Sequence, residues 1–415
     1  MNVKVSPCAL KGNIRAISSK SDAHRLLILS ALSGSPVFLE LNVFSKDILA
    51  TADCLCALGA DIKRTDKGFH VTPIKNVPAE ALLNCMESGS TLRFMLPVAA
   101  ALGVKARFTG EGRLPSRPIG ELKKVMEQHG VRFSSDKLPL TVEGKLTPGE
   151  YAIPGNISSQ YLTGLMLALP LVGESTVKLT AKLESVGYVD MTVSALKKFG
   201  AEVTKCGEEF KIPYTGYKSP EKLCVEGDWS NSAFFLVAGA LAGGITVTGL
   251  DTHSSQADKA VVDILLKMGA DVSVKGNAVR VCPAPLSGCD IDVSNIPDLL
   301  PVLAVAASYA KGQTRFTNAA RLRIKESDRL FSTASMINSL GGNAVEYPDS
   351  LTVEGSFLKG GVTDSFNDHR IVMSAAIAAM KCENDVVIKC AEAVNKSYPA
   401  FFEDIISLGG KADVI

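Results

Sequence analysis

The stretch LLKMGADVSVK, residues 265–275, joins the end of an apolar helix to a strand through a glycine, and it recurs along the chain. Glycine suits this place because the residue that follows a helix often adopts a left-handed conformation. The other versions are CLCALGADIKR (54–64), KVMEQHGVRFS (124–134), ALKKFGAEVTK (195–205), INSLGGNAVEY (337–347) and ISLGGKADVI (406–415). The six glycines lie 71, 70, 69, 72 and 68 residues apart, at Gly59, Gly130, Gly200, Gly269, Gly341 and Gly409. This period predicts six structural units of about 70 residues each.

A second, more apolar helix precedes each of these glycines and begins in a polar cluster. The six helix starts are SSKSDAHR (18–25), ESGSTLR (87–93), NISSQYL (156–162), GDWSNSA (227–233), NIPDLLP (295–301) and FNDHRIV (366–372). Strands are predicted before and after each helix, so every unit reads β-α-β-α-β-β. Helices this apolar belong in the core of a domain.

The sixth unit is short, because only residues 410–415 follow its glycine. We expect residues 2–6 and 13–17 to supply its missing strands. Six units divide most simply into three plus three. The prediction is therefore an α/β protein with a discontinuous domain, residues 1–17 and 228–415, and an inserted domain, residues 18–227. Two crossing strands near 17 and 227 would form a hinge between them.

Composition narrows the classes of function. The formal net charge is +1, whereas a general nucleic-acid binder usually carries a basic excess. The 10 cysteines and 5 histidines show no zinc-ligand spacing, so no metal site is expected. The N-terminus does not resemble a signal peptide, and no apolar stretch is long enough to cross a bilayer. A cytoplasmic protein with no membrane or nucleic-acid partner is expected.

The helix starts are the places where we expect chemistry. A helix N-terminus offers unpaired N–H groups and about half a positive charge, which suits anionic ligands. Ordinary N-capping explains most of the serines and aspartates there. It does not explain Lys20, Arg25, Gln160 and Arg370. The segment 321–329 adds further cations; a solvated helix face is the usual meaning of such a run, but its place in the repeat favours a site.

Ten segments resemble the 5-enolpyruvylshikimate-3-phosphate synthase family, in family order and over almost the whole chain. They are SKSDAHR (19–25), GSTLRF (89–94), RPIGEL (117–122), SSQYLTGL (158–165), GYVDMT (187–192), GDWSNSAFF (227–235), IPD (296–298), RIKESDRL (323–330), NDHR (367–370) and NKSYPAFF (395–402). The resemblance implies two domains of three repeats in an inside-out α/β barrel. It also implies transfer of the enolpyruvyl group of phosphoenolpyruvate to the 5-hydroxyl of shikimate 3-phosphate, through a tetrahedral intermediate and with release of phosphate.

The resemblance also implies the site residues. Those expected to bind shikimate 3-phosphate are Lys20, Ser21, Arg25, Ser158, Ser159, Gln160, Ser185, Tyr188, Asp298, Arg321 and Lys325. Those expected to bind phosphoenolpyruvate, or the herbicide glyphosate in its place, are Lys20, Gly89, Ser90, Arg117, Gln160, Arg329, Arg370 and Lys396. The catalytic candidates are Asp298, Glu326, Lys20 and His369. We expect no metal and no organic cofactor. We expect the protein to be a monomer.

Four places depart from the commonest family pattern. Glu87 stands where asparagine is frequent, Phe94 where proline is usual, and Arg321 where asparagine is expected. Residues 186–187 replace a Lys-Pro pair. None of these changes removes a catalytic residue type, and we leave Glu87 out of the site because a carboxylate there would repel phosphate.

Two other enzymes remain as alternatives. The sister transferase that acts on a UDP-amino sugar typically carries a cysteine in the loop corresponding to residues 111–118, and this sequence has none there. An RNA 3′-phosphate cyclase shares this kind of repeat but uses a histidine nucleophile and ATP; the near-neutral charge counts against RNA. A binding protein without catalysis would gain nothing from carboxylates among its cations.

Overall fold

A computed structural model describes all residues from Met1 to Ile415. The strands are, in chain order, β1 (Val3–Ser6), β2 (Leu10–Arg15), β3 (Val37–Glu40), β4 (Asp61–Thr65), β5 (Gly68–Thr72), β6 (Glu80–Asn84), β7 (Lys105–Thr109), β8 (Val131–Phe133), β9 (Leu140–Gly144), β10 (Glu150–Pro154), β11 (Ser175–Ala181), β12 (Thr204–Cys206), β13 (Glu209–Ile212), β14 (Lys222–Cys224), β15 (Gly243–Thr248), β16 (Asp271–Lys275), β17 (Ala278–Cys282), β18 (Asp290–Asp292), β19 (Gln313–Thr317), β20 (Asn343–Tyr347), β21 (Ser350–Glu354), β22 (Gly361–Asp364), β23 (Val386–Lys389) and β24 (Lys411–Val414). The α-helices are α1 (Lys20–Leu32), α2 (Lys46–Ala57), α3 (Gly89–Leu102), α4 (Gly120–Glu127), α5 (Ser159–Ala168), α6 (Val186–Lys198), α7 (Trp229–Leu241), α8 (Val261–Met268), α9 (Leu300–Ser308), α10 (Arg329–Ser339), α11 (His369–Ala379) and α12 (Phe401–Ser407).

The chain divides into two compact units. Unit 1 contains Met1–Ser19 and Glu226–Ile415, and unit 2 contains Lys20–Val225. None of the helices is both long and apolar enough to span a membrane.

Each unit contains three four-stranded sheets built on one plan. In the sheet ordered β6-β7-β9-β8, for example, β6 and β7 are parallel, whereas β9 is antiparallel to both of its neighbours. The other sheets of unit 2 are β10-β11-β13-β12 and β14-β3-β5-β4. Those of unit 1 are β2-β15-β17-β16, β18-β19-β21-β20 and β22-β23-β1-β24. The predicted β-α-β-α-β-β repeat is confirmed. Every sheet is open, however, with two edge strands, so no closed barrel forms.

One prediction about the N-terminal strands is wrong. β1 does complete the sixth sheet, between β23 and β24. β2 does not join it; instead β2 pairs parallel with β15 in the fourth sheet. The reason is that the fourth repeat lacks its own first strand, because β14 pairs with β3 in unit 2. With β1 between β23 and β24, the sixth sheet already has the four strands that the other sheets have.

The predicted left-handed glycines are confirmed at all six repeat positions, where φ lies between 80° and 106°. Gly59 shows why no larger residue fits, since a Cβ there would lie 2.5 Å from the carbonyl oxygen of Asn76. A left-handed residue at each helix end reverses the chain into the next strand.

The core of each unit is helical. Helices α1, α3 and α5 of unit 2, and α7, α9 and α11 of unit 1, bury nearly all of their residues on every side. Apolar residues all round such a helix require cover all round, and the surrounding sheets and outer helices provide it. Polar side chains at the ends of these helices are therefore brought close together inside each unit.

Candidate active site

Unit 2 has two cations in the first two turns of α1, Lys20 and Arg25. Lys20 begins α1, and its Nζ lies 2.9 Å from Asp47 Oδ2 in the first turn of α2. Arg25 is 2% exposed and donates to Thr192 Oγ1 at 2.9 Å and to the carbonyl oxygen of Tyr188 at 2.8 Å. Burial lowers the pKa of Arg25 to about 10, so it stays charged at neutral pH. The helix starts thus hold fixed positive charges beside N–H groups.

A second arginine group in unit 2 joins α3, α5 and the segment before α4. Arg93 Nη1 donates to Gln160 Oε1 at 2.7 Å, and its Nη2 donates to the carbonyl oxygen of Pro118 at 3.1 Å. Gln160 Nε2 donates in turn to Ser90 Oγ at 2.9 Å. Arg117 lies so close to Gly89 that a Cβ on the glycine would be 2.6 Å from Arg117 Nη1. The structure therefore brings Gly89, Ser90, Arg117 and Gln160 together.

The predicted serines of unit 2 lie at helix starts. Ser158 caps α5, because its Oγ accepts from the Gln160 N–H at 3.3 Å. Ser159 is the first residue of α5 and is buried. Ser185 precedes α6 in a left-handed conformation, with φ of 54°, and makes no capping bond. Ser21 lies in the first turn of α1, where its carbonyl oxygen accepts from Arg25.

Unit 1 contains a buried ionic network centred on Arg329. This side chain is 1% exposed, and three different carboxylates surround its guanidinium. Nη1 donates to Asp298 Oδ1 at 2.5 Å, Nη2 to Glu326 Oε2 at 2.8 Å, and Nε to Asp368 Oδ2 at 2.8 Å. Arg370 adds a second cation, with Nη2 3.4 Å from Asp298 Oδ2. The network links the start of α10 to the starts of α9 and α11.

The charges around Asp298 decide its protonation state. Burial alone would raise the pKa of this carboxyl, but Arg370, Lys325 and Arg329 outweigh burial and hold the pKa well below its usual range. Lys325 Nζ lies 3.7 Å from Asp298 Oδ1. Burial lowers the pKa of Lys325 to about 8, with Arg329 and Arg321 also lowering it and Asp298 opposing them. Asp298 is therefore an ionised carboxylate at neutral pH.

The remaining predicted residues of unit 1 lie on three different elements. His369 is 1% exposed, with Nδ1 3.7 Å from Asp368 Oδ1. Arg321 Nη2 donates to the carbonyl oxygen of Ser294 at 3.0 Å. Lys396 ends the short 3₁₀ helix Ala391–Lys396 and is 7% exposed.

Comparison with known proteins identifies the family. The family profile described as EPSP synthase (3-phosphoshikimate 1-carboxyvinyltransferase) matches residues 5–405. The chain belongs to the EPSP synthase family. Among its relatives, the 3-phosphoshikimate 1-carboxyvinyltransferase of Clostridium novyi is 42% identical, over 99% of this chain and 98% of the relative. The 3-phosphoshikimate 1-carboxyvinyltransferase of Clostridium kluyveri is 43% identical, over 99% of this chain and 98% of the relative. The family resemblance predicted from ten short segments is confirmed.

Solved structures confirm the fold. EPSP synthase from Acinetobacter baumannii superposes with a TM-score of 0.84 at 24% identity, over 100% of both chains. The enolpyruvyl transferase NikO from Streptomyces tendae gives a TM-score of 0.80 at 20% identity, over 99% of this chain and 98% of that one. The architecture is that of EPSP synthases, with two domains of mixed α/β repeats.

Sequence reasoning missed several residues of these clusters. Arg93 and Asp47 hold predicted residues in place, and Asp368 binds Arg329. Asp258, in the 3₁₀ helix Ala257–Ala260, is a fourth residue that was not predicted. Burial and the neighbouring Asp298 raise its pKa to about 7, and Arg370 has the opposite effect on this pKa. Arg93 could have been found, because it lies one helical turn after Gly89 in the quoted segment. Asp258 lies outside the repeat positions and carries no such signal.

Proposed function

We propose that this chain transfers the enolpyruvyl group of phosphoenolpyruvate to the 5-hydroxyl of shikimate 3-phosphate and releases phosphate. Family membership makes the chain an enzyme of aromatic amino-acid biosynthesis, and the assignment rests on it. The structural observation that supports the chemistry best is the position of Asp298, whose side chain is 16% exposed and whose carboxylate lies beside Arg329, Lys325 and Arg370. Addition of the hydroxyl needs a base beside it, and protonation of the methylene carbon needs an acid.

Unit 2 offers the groups that suit phosphate. We assign Lys20, Gly89, Ser90, Arg117 and Gln160 to the phosphate of phosphoenolpyruvate, because these residues combine fixed cations with amide and backbone donors at helix starts. A second group is assigned to shikimate 3-phosphate. Its phosphate is assigned to Ser158, Ser159 and Ser185, and its ring to Ser21 and Arg25 with Tyr188 alongside; Lys20 and Gln160 also belong to this group. In support, Arg25 and Gln160 are already oriented by hydrogen bonds to side chains of other helices.

Unit 1 offers the acid–base groups and the cations for carboxylate. We assign Asp298 to the substrate hydroxyl as base and Glu326 to the methylene carbon, with Lys20 and His369 as further proton-transfer candidates. Arg329, Arg370 and Lys396 are assigned to the carboxylate of phosphoenolpyruvate, and Arg321 and Lys325 to shikimate 3-phosphate. Because three carboxylates already surround Arg329, a substrate carboxylate would have to share or displace one of them.

Phosphate release distinguishes this function from the alternatives. The purified protein is mixed with phosphoenolpyruvate and either shikimate 3-phosphate or UDP-N-acetylglucosamine. Release with shikimate 3-phosphate alone is expected. Release only with the UDP-sugar would overturn the assignment, and so would ATP-dependent cyclisation of an RNA 3′-phosphate without any phosphate release.

The monomeric state and the cytoplasmic location are further proposals. The large apolar residues that remain exposed, such as Leu82, Tyr214 and Phe357, come from separate elements of the chain. Scattered apolar residues do not require a partner. Light scattering of the purified protein should give a mass close to 43.8 kDa, whereas twice that mass would exclude the monomer.

Gly89→Ala should raise the KM for phosphoenolpyruvate about tenfold and weaken inhibition by glyphosate at least as much. The added methyl would lie 2.6 Å from Arg117 Nη1 and 2.8 Å from Arg93 Nη1, so both guanidinium groups would have to move. The KM for shikimate 3-phosphate should stay within about twofold, because its assigned serines lie on other helices. Gly120→Ala is the control, since nothing lies within 4 Å of its added methyl. An equal rise in both KM values would mean that the start of α3 had unfolded.

Binding of shikimate 3-phosphate should weaken as the pH rises above about 8, where Lys325 loses its proton. Only the protonated amine attracts an anion, so the KM should rise by up to about tenfold per pH unit above that point. Lys325→Arg should remove this dependence, because a guanidinium keeps its charge. Steady-state kinetics from pH 6 to 10 test it. A Lys325→Arg profile identical to the wild-type profile would exclude Lys325 as the titrating group.

A further inference from the structure

Four buried side chains form a continuous hydrogen-bonded relay across α1, α2 and the start of α3. His24 Nδ1 lies 2.7 Å from Thr51 Oγ1, which lies 2.7 Å from Thr91 Oγ1. Thr91 Oγ1 lies 2.8 Å from Oγ of Ser88, the residue that caps α3. All four side chains have 0% exposure, so none of them can contact a ligand directly. None of the four is among the residues assigned to either substrate.

The single proton of Thr91 sets the direction of the hydrogen bonds in the relay. Its acceptors are Ser88 Oγ at 2.8 Å and the carbonyl oxygen of Asp47 at 3.5 Å, and whichever of them takes the proton, none is left for Thr51. Thr51 must therefore donate to Thr91. Because the proton of Thr51 is then used, the proton between His24 and Thr51 must come from His24 Nδ1. The relay requires the tautomer that carries its proton on Nδ1.

The surroundings of His24 agree with this tautomer. Its other nitrogen, Nε2, is buried and has no hydrogen-bond partner. A bare lone pair in that position is less costly than an N–H group without an acceptor. Burial also lowers the pKa of His24 to about 3, with Lys20 and Arg25 adding to the fall and Asp47 opposing it. The ring is therefore neutral over the whole physiological range of pH.

The relay runs beside the groups assigned to phosphoenolpyruvate. His24 lies one helical turn after Lys20 on α1, and Ser88 immediately precedes Gly89. Thr91 Oγ1 also lies 3.5 Å from the carbonyl oxygen of Asp47, whose carboxylate binds Lys20 at 2.9 Å. The relay and the Lys20–Asp47 ion pair thus join the same helices. A shift of α3 would move Gly89 and Ser90 relative to Lys20.

We propose that His24 is a positioning residue for phosphoenolpyruvate. As the tautomer protonated on Nδ1, it donates the first hydrogen bond of a relay that runs through Thr51 and Thr91 to Ser88. This relay fixes the start of α3, where phosphoenolpyruvate is assigned to bind. The relay itself follows from the structure alone, whereas its effect on phosphoenolpyruvate rests on the proposed function. Two measurements keep these parts separate.

The first measurement is the tautomer. Nitrogen-15 NMR of imidazole-labelled full-length protein should show the proton of His24 on Nδ1, unchanged between pH 5.5 and 8. His24→Asn identifies the resonance and should keep the relay, since its amide nitrogen occupies nearly the place of Nδ1. A proton on Nε2, or a ring that titrates in this range, would overturn the proposal whatever reaction the protein catalyses.

The second measurement is kinetic. Thr51→Val has nearly the same shape but breaks the relay, and it should raise the KM for phosphoenolpyruvate about tenfold while the KM for shikimate 3-phosphate stays within about twofold. Thr51→Ser and His24→Asn should stay close to wild type. Thr314→Val, a buried threonine in β19 whose hydroxyl also accepts a hydrogen bond, is the matched control and should change neither KM. Equal KM changes for Thr51→Val and Thr314→Val would overturn the positioning role. Absence of any turnover in the wild type would reject the proposed function and leave the tautomer result standing.

Discussion

Asp298→Asn should lower the turnover number about 10²- to 10⁴-fold, the usual effect of losing a positioned acid–base group. Asparagine keeps the shape of the side chain but cannot take up the proton of the substrate hydroxyl. At sequence level the competing explanation for Asp298 is helix capping. The structure excludes it, because α9 has no side-chain cap and the Asp298 carboxylate binds Arg329 and Arg370 instead.

Steady-state kinetics with phosphoenolpyruvate and shikimate 3-phosphate test this prediction. Asp328→Asn is the matched control: it removes a carboxylate that binds Arg323, and asparagine caps α10 about as well as aspartate. The control should keep the turnover number within about threefold. An Asp298→Asn variant with a turnover number near the wild-type value would exclude Asp298 as the base.

Arg329→Leu should lower the free energy of unfolding of unit 1 by about 3–5 kcal/mol at pH 7. The substitution leaves three carboxylates without the cation that binds all of them: Asp368, which is 0% exposed, and Glu326 and Asp298, which are 12% and 16% exposed. Burial by itself would raise the pKa of both aspartates, but Arg329 and its neighbours hold them below their ordinary values. The stability from these depressed pKa values is therefore present above the unfolded-state pKa, near 4, and is lost as the pH falls through the lower folded-state values.

Urea unfolding followed at pH 7 and pH 5 tests the network. Without Arg329 the carboxyls take up protons more readily. The loss of unfolding free energy caused by Arg329→Leu should therefore be smaller at pH 5 than at pH 7. Arg132→Leu removes an arginine whose side chain is 79% exposed and bound to Glu143, and it should cost less than about 1 kcal/mol. A cost for Arg329→Leu no larger than that of the control, or one independent of pH, would contradict the electrostatic explanation.

The separate residues of the site were predictable to different degrees. Lys20, Arg25, Gln160 and Arg370 stood out because cap chemistry does not explain them at helix starts. The partners of these residues could not be predicted, because they are distant along the chain. Asp47 lies 27 residues from Lys20, Thr192 lies 167 residues from Arg25, and Asp298 lies 72 residues from Arg370. Such distances leave no periodic signal, so only the folded chain shows which carboxylate meets which cation.

By itself, the sequence determined the six-fold repeat, the left-handed glycines, the buried helices and the family. Each of these depends on local periodicity or on backbone conformation, which a short stretch of residues specifies. The tertiary structure alone decided that β2 joins the fourth sheet, since either neighbouring sheet suits its local sequence and pairing depends on which parallel position is vacant. It also decided that Arg329 is surrounded by carboxylates and that His24 Nδ1 lies 2.7 Å from Thr51 Oγ1. Both contacts join segments that are far apart along the chain, so they exist only once these segments pack against each other in the core.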